Sequence, residues 1–111
     1  MVQFEAHLDR AFGALSDPTR RAILMRLGRS EASITELASG FDMTLTGLKK
    51  HVQILEDAGL VTTAKVGRVR TCKLGPQRLE DVSKWISNYR SLLEQRLDAL
   101  AEFLERTKGT P

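Results

Sequence analysis

The stretch SITELASGFDMTLTGLKKHVQILEDAGLVTTAKVGRVRTCKL, residues 33–74, decides the fold. Ser33 to Phe41 reads as one short helix, with Ser33 or Thr35 opening it, and Asp42 and Met43 as a turn. Thr44 then caps a second helix that runs to Ala58, where Gly59 supplies the stop. Val61 to Leu74 reads as two strands folding back on themselves at Gly67-Arg68, the kind of dipeptide that closes a hairpin. Two helices joined by a tight turn and followed by a hairpin form a helix-turn-helix (residues 33–58) with a wing (61–74). That is an arrangement suited to reading duplex DNA.

The second helix carries the chemistry of this expectation. At 3.6 residues per turn, Leu45, Leu48, Val52 and Leu55 share one narrow face, while Thr46, Lys49, Lys50 and Gln53 share the other. One face docks on the body and the other is free to read. The hydroxyl of Thr44 suits the helix start, where unpaired backbone N–H groups favour a phosphate. Arg68 at the hairpin tip, with Arg70 and further Lys65 and Lys73 along the strands, is placed to rest on phosphate or enter a minor groove. The residues expected to meet DNA are therefore Thr44, Thr46, Gly47, Lys49, Lys50, Gln53, Arg68 and Arg70.

Charge counted by region supports the assignment. The net formal charge is −1 over residues 1–42, +4 over 43–75 and zero over 76–111, so the +3 excess of the whole chain comes from the reading helix and wing. A basic patch on such an element is the footprint of a polyanionic partner.

The 111 residues suit one domain, with an ordinary composition of 41% hydrophobic and 28% charged residues. No apolar run approaches the roughly 18 residues of a membrane span, and the charged start of the chain is no signal peptide, so a cytoplasmic protein without membrane contact is expected. A single cysteine, Cys72, builds no intrachain disulfide and agrees with a reducing compartment.

Before residue 33, Phe4, Leu8, Ala11, Phe12 and Leu15 fall on one face of an opening helix. Asp17 caps a second helix with Pro18 at its first position and Gly28 at its end. Ala22, Ile23, Met25 and Leu27 are assigned to its buried side, and Arg20, Arg21 and Arg26 point to water or DNA phosphate. In the third helix Ile34, Leu37 and Phe41 face inward.

After the wing, a long helix from Pro76 to residue 106 carries Leu79, Val82, Ile86, Tyr89, Leu93, Leu97, Leu100 and Leu104 at spacings of three and four, widened by Trp85, Leu92 and Phe103. So long a stripe, roughly 45 Å, exceeds what a body this small covers. Part of it is expected to meet a second copy, with the first helix as companion. The residues assigned to that homodimer interface are Phe4, Leu8, Phe12, Ile86, Tyr89, Leu93, Leu97 and Leu100. The expected fold is thus mainly α with a β-hairpin wing, dimerising through its first and last helices.

The run from Leu15 to Arg21 (LSDPTRR), the segment Thr35-Glu36-Leu37-Ala38, the block LKKHVQILEDAGLV from Leu48 to Val61 and the Gly67-Arg68 tip together resemble the ArsR/SmtB winged-helix regulators, over nearly the whole chain. The segment from Trp85 to Glu105 resembles the SdpR-like subgroup of small repressors. The resemblance implies a homodimeric, sequence-specific transcriptional repressor on an inverted-repeat operator, binding double-stranded DNA and no cofactor. Metal-sensing members carry a Cys-x-Cys pair in the third helix or Asp and His ligands in the last. Here Ser33–Phe41 and Pro76–Lys108 contain neither Cys nor His, so no metal site is expected. The reading helix departs from the family's Ser-His-His cluster, with Lys49 and Lys50 preceding His51 and Gly47 in place of a better helix former.

Two alternatives compete with this reading: a metal- or redox-responsive sensor of the same family, and a winged helix that binds only protein. The outward grouping of Thr46, Lys49, Lys50 and Gln53 argues against the second. His51 is read as half-buried beside a neighbour, His7 as an interface or solvated residue, and Cys72 as a small core side chain. No phosphate loop and no nucleophile, base and orienter set is legible, so no catalytic residue is assigned and no enzyme is expected. No effector pocket is legible either.

Overall fold

A computed structural model describes residues 2–108, with side chains from Ala6 onward. The element order is α1 (Val2–Leu15), α2 (Pro18–Leu27), β1 (Ala32–Ser33), α3 (Ile34–Gly40), α4 (Leu45–Asp57), β2 (Val61–Val66), β3 (Val69–Leu74) and α5 (Pro76–Lys108).

Each short helix is bounded by chemistry written in the chain. Asp17 caps α2, its Oδ2 accepting from the Arg20 N–H at 3.0 Å, and Pro18 sits where no amide donor is needed. Ser33, rather than Thr35, opens α3 through a reciprocal pair: its Oγ accepts from the Glu36 N–H at 3.0 Å, and Glu36 Oε1 accepts from the Ser33 N–H at 3.1 Å. Both helices of the helix-turn-helix then end alike. Beyond α3, Asp42 takes φ 53°, and the Met43 and Asp42 N–H groups reach back to the Ala38 and Ser39 carbonyls at 3.0 and 3.3 Å. Beyond α4, Gly59 takes φ 76°, and the Leu60 and Gly59 N–H groups reach the Leu55 and Glu56 carbonyls at 3.0 and 2.9 Å. These closures satisfy carbonyls that a helix end leaves open. Asp tolerates the left-handed region better than most residues, which is how the turn survives without glycine.

Arg20 and Arg21, expected toward water or DNA phosphate, turn back onto α1. Arg20 Nε donates to the Ala14 carbonyl at 2.7 Å and its Nη2 to that of Gly13 at 3.3 Å, while Arg21 Nη1 donates to the Leu15 carbonyl at 2.7 Å. The two guanidinium groups close the C-terminus of α1, where unpaired carbonyls and the helix dipole favour cations. Arg26 likewise turns to the Ser30 carbonyl at 2.9 Å.

The three strands form one antiparallel sheet in the order β1-β3-β2, with Val61 opposite Leu74, Val66 opposite Val69, and Ala32 opposite Cys72. The two-residue β1 is an addition to the expected hairpin, too short to leave a periodic signal. Gly75 fixes where the sheet meets α5: its N–H donates to the Leu60 carbonyl at 2.8 Å, and a Cβ there would lie 2.5 Å from the Gly59 oxygen. Only glycine lets β3 return so close to the end of α4.

The core gathers Leu8, Ala11 and Ala14 from α1, Ile23, Leu24 and Leu27 from α2, the inner faces of α3 and α4, and Leu60, Val61 and Cys72 from the base of the wing. Met25 is 81% exposed, contrary to the expectation, and Leu24 takes the inward position in α2. Leu45 is also exposed, at the first position of α4, where it faces the groove toward the wing. Leu8 is buried within its own chain against this core and does not belong to a free interface face. The Phe4 side chain lies outside the described residues.

In α5, 33 residues long, only Val82 is buried among the described residues. The helix gives the molecule its elongated outline of 76 × 32 × 20 Å. No described helix is long and apolar enough to cross a membrane.

Candidate nucleic-acid interface

Helix α4 presents its polar side as the sequence pattern requires. Leu48, Val52 and Leu55 are at most 3% exposed, and Thr46, Lys49, Lys50 and Gln53 all face solvent. The buried leucines hold the helix on the body, so the lysines are displayed on a rigid element and not on a loop. At its start Thr44 Oγ1 accepts from the Gly47 N–H at 3.1 Å, leaving the preceding amides of the first turn without an intrahelical acceptor. Gly47 itself is half-buried behind this cap, where a Cβ would crowd the Thr44 hydroxyl at 3.1 Å.

Between α4 and the wing runs an open groove of about 600 Å³. Lys49, Gln53 and Leu45 line its helix side, and Lys65, Arg68 and Arg70 its strand side. The structure thus brings Lys49, Gln53, Arg68 and Arg70 together, while Thr44, Thr46 and Lys50 lie exposed but off the groove wall. Among the described residues, none of Lys49, Lys50, Lys65, Arg68 and Arg70 lies within salt-bridge distance of a carboxylate. Uncompensated cations facing one groove raise the local potential for a polyanion. Gln53 is not wholly free, since its Nε2 donates to Asp57 Oδ1 at 2.8 Å.

One side-chain hydrogen bond joins helix and wing. Thr63 Oγ1 of β2 donates to Glu56 Oε2 on the last turn of α4 at 2.5 Å, tying the wing's base to the reading helix. Ser33 and Thr35, at the start of α3, complete the groove. Sequence patterning does not assign Glu56, Thr63 or Thr35 to this site; only their polarity beside the expected helix and wing marks them.

His51 matches its expected half-buried state, with Nδ1 3.4 Å from Arg20 Nη1 and 3.9 Å from Asp17 Oδ2. The Asp17 carboxyl is held below its ordinary value of 3.8, chiefly by the Arg20 backbone N–H and further by the charges of Arg20 and His51. The Glu36 carboxyl is also lowered, chiefly by the Ser33 backbone N–H. His7 is exposed. Cys72 has no exposed surface, and burial, with Glu56 adding, pushes its thiol up and keeps it neutral, which opposes nucleophilic redox chemistry. Among the described residues no group of three or more His, Cys, Asp and Glu side chains is arranged to hold a metal.

Of the residues assigned to a dimer face, Ile86, Tyr89, Leu93, Leu97 and Leu100 stand exposed along α5. Phe12 is half-buried and meets Trp85 edge-on, with centroids 5.4 Å apart at 73°. Trp85 in turn stacks on Tyr89 at 5.5 Å and 7°.

A capped, outward-facing cationic helix set beside a basic hairpin defines a winged helix-turn-helix DNA-binding module. A family profile described as a helix-turn-helix domain matches residues 15–64. The chain is 38% identical over 86 residues to the HTH-type transcriptional regulator YuzN of Bacillus subtilis, covering 70% of this chain and 94% of that protein. It is 28% identical over 82 residues to the transcriptional repressor SdpR of the same organism, covering 74% and 91%. The crystal structure of an ArsR family transcriptional regulator superposes with a TM-score of 0.75 at 44% identity, over 81% of this chain and 93% of that one. The chain belongs to the ArsR family of winged helix-turn-helix transcriptional regulators.

Proposed function

We propose that this regulator is a repressor that works as a homodimer on an inverted-repeat operator, without a metal ion. The observation that carries the reading is the pairing of two surfaces on one chain: an uncompensated cationic face on α4 and the wing, and an uncovered apolar stripe on α5. The first fits one half-site. The second has its counterpart in another copy, and doubling the chain about a two-fold axis doubles the half-site.

In this reading α4 enters the major groove with Thr46, Lys49, Lys50 and Gln53 toward the bases and nearby phosphates. The N-terminal amides beside Thr44 take a backbone phosphate, and Arg68 and Arg70 flank the duplex. Successive major grooves lie roughly 34 Å apart, which sets the spacing the two reading helices must match. Repression is supported by the likeness to SdpR, a transcriptional repressor. Independence from metal is supported by the ligand chemistry: the chain's only Cys and His residues, Cys72, His7 and His51, are scattered over three elements. The single domain spanning 1–111, read as helix-turn-helix, wing and dimerisation helix, places both surfaces in one unit.

Selection of bound sites from a random duplex pool with the purified protein tests the reading. Enrichment of an inverted repeat with half-sites about 10 base pairs apart is the expected result. A pool that stays random, or that yields single half-sites only, overturns it.

A further inference from the structure

Helix α2 is apolar on two sides. Ile23, Leu24 and Leu27 enter the core, whereas Ala22 and Met25 line an open groove of about 660 Å³ between α2 and α3, bounded on the other side by Leu37, Gly40 and Phe41. Small-molecule sites have such volumes, mostly apolar walls and a few placed polar groups. The small residues Ala22 and Gly40 keep the trough clear, and a Cβ on Gly40 would meet nothing within 4 Å. Met25, 81% exposed, is an unbranched, polarizable side chain that adapts to the shape of a guest.

Charge enters this groove at one end. Arg26 and Arg29 stand where α2 finishes, near Glu36 in the first turn of α3, while Ala22, Gly40 and Phe41 lie a turn or more farther along their helices. Glu36 has its Oε1 committed to the Ser33 N–H and lies in the field of Arg26, so those two charges offset each other. Arg26 is steadied by Ser30 through Nη1 alone. Arg29 is exposed and makes no hydrogen bond or ion pair among the described residues. The balance is one uncompensated guanidinium beside an apolar trough, the complement of a single carboxylate on an apolar chain. The wall from Ala22 to Arg29 runs about 10 Å at 1.5 Å per residue, the reach of a chain of medium length. A protein partner needs roughly 20–30 residues a side, and eight line this groove.

The position of the groove ties it to the reading helix. Helix α4 packs on both α2 and α3, so their spacing sets its seat. Phe41 ends α3, its N–H donating to the Leu37 carbonyl at 3.0 Å, and Asp42 follows at φ 53° in the turn that leads to α4. The groove shares no lining residue with the one between α4 and the wing, so a guest here does not compete with a duplex for the same side chains.

We infer that the α2–α3 groove binds a small amphipathic monocarboxylate, its head at Arg29 and its chain along Met25, Gly40 and Phe41, and that the guest spreads α2 from α3 and weakens DNA binding. The coupling rests on the DNA-binding reading above and adds its regulation; the site itself does not depend on it.

Octanoate is the test compound and 1-octanol its uncharged counterpart. The chain has three methionines, Met1, Met25 and Met43, so methyl spectra of the intact protein labelled at methionine report the groove directly. Octanoate shifts the Met25 signal saturably, with a roughly millimolar midpoint or tighter. Binding weakens by about tenfold or more for 1-octanol and in Arg29→Glu. Gly40→Leu fills the trough and abolishes the response; if that variant does not fold by circular dichroism, Arg29→Glu on its exposed side chain carries the test. A Met25 signal that ignores octanoate, or still responds in folded Gly40→Leu, overturns the site. An equal response to 1-octanol, or an unaltered midpoint in Arg29→Glu, overturns the carboxylate. With the duplex enriched by the selection above, saturating octanoate weakens binding by about fivefold or more in the wild type and not in Gly40→Leu. Unchanged or tighter DNA binding while Met25 shifts overturns the coupling and leaves the site standing. A wild-type protein that binds no duplex even without octanoate overturns the DNA reading and the coupling, and the methyl titration still decides the groove.

Discussion

Helix α4 has 13 residues and buries Leu48, Val52 and Leu55 of its inner face; α5 has 33 and buries one residue, Val82, among those described. Both are amphipathic, and both carry apolar residues at spacings of three and four. What separates them is where the covering surface comes from. The apolar face of α4 is met by α1, α2, α3 and the wing's base within the same chain, so its polar side is free and fixed. The apolar face of α5 outruns α1, the helix that packs against it, and is left largely exposed. In the proposed function, reading DNA is thus prepared inside a single chain, while placing two readers together is left to assembly.

The contrast is broken most forcefully by a charge on the uncovered face. In the homodimer, Leu97→Asp sets an unpaired carboxylate in the seam, and that costs far more than the lost methyl groups. The expected outcome is a folded monomer by light scattering, with affinity for a two-half-site duplex falling sharply. The matching change in α4 behaves otherwise. Leu55→Ala removes a fully buried side chain and lowers unfolding stability by about 2–5 kcal/mol, and the loss is the same at every protein concentration. Urea denaturation at two protein concentrations separates the two helices, because the midpoint stays concentration-dependent in the dimeric Leu55→Ala variant and becomes concentration-independent in the monomeric Leu97→Asp variant.

The polar side of α4 sharpens the comparison from the other direction. Lys49→Ala with Lys50→Ala leaves fold and assembly unchanged and weakens DNA binding. The log–log salt dependence should flatten by roughly 0.9 for each phosphate that the two lysines no longer neutralise. Titrations across salt concentrations measure it, and an unaltered slope would assign phosphate binding to other residues. The smallest effect concerns the support of the reading helix. Asp17 has its carboxyl lowered below 3.8, so the stability it adds is complete above that value and is lost as pH falls through the lower folded value. Asp17→Asn keeps the cap, because Asn caps as well as Asp, and flattens the acid limb of a stability profile followed by circular dichroism.

Much of this arrangement is legible in the sequence, because caps and stop signals act locally. Asp17-Pro18, Ser33 with Glu36, Thr44 and Gly59 each mark a boundary through a hydrogen bond or a dihedral angle that their own chemistry dictates. The Gly67-Arg68 tip likewise fixes the register of β2 on β3. What escapes depends on neighbours distant in sequence. Periodicity puts Leu45 on the docking face, although at the first position of α4 it stays exposed on the groove wall. It also places Met25 inward, where Leu24 does the packing. Arg20 and Arg21 look free because their partners, the last carbonyls of α1, become reachable only once α1 and α2 are folded against each other. The bond from Thr63 to Glu56, which joins wing to reading helix, spans seven residues and two kinds of secondary structure, so neither pattern contains it.

Cys72 sits at the centre strand of the three, opposite Ala32 on one side and Thr63 on the other, with none of its surface in contact with water. A thiol reagent can reach its sulfur only when the packing around it opens. The velocity of labelling in native buffer is therefore a clock for the opening of the wing's base, one that needs no engineered residue. Slower labelling in the presence of a bound duplex would show that the hairpin is clamped while the regulator holds its site.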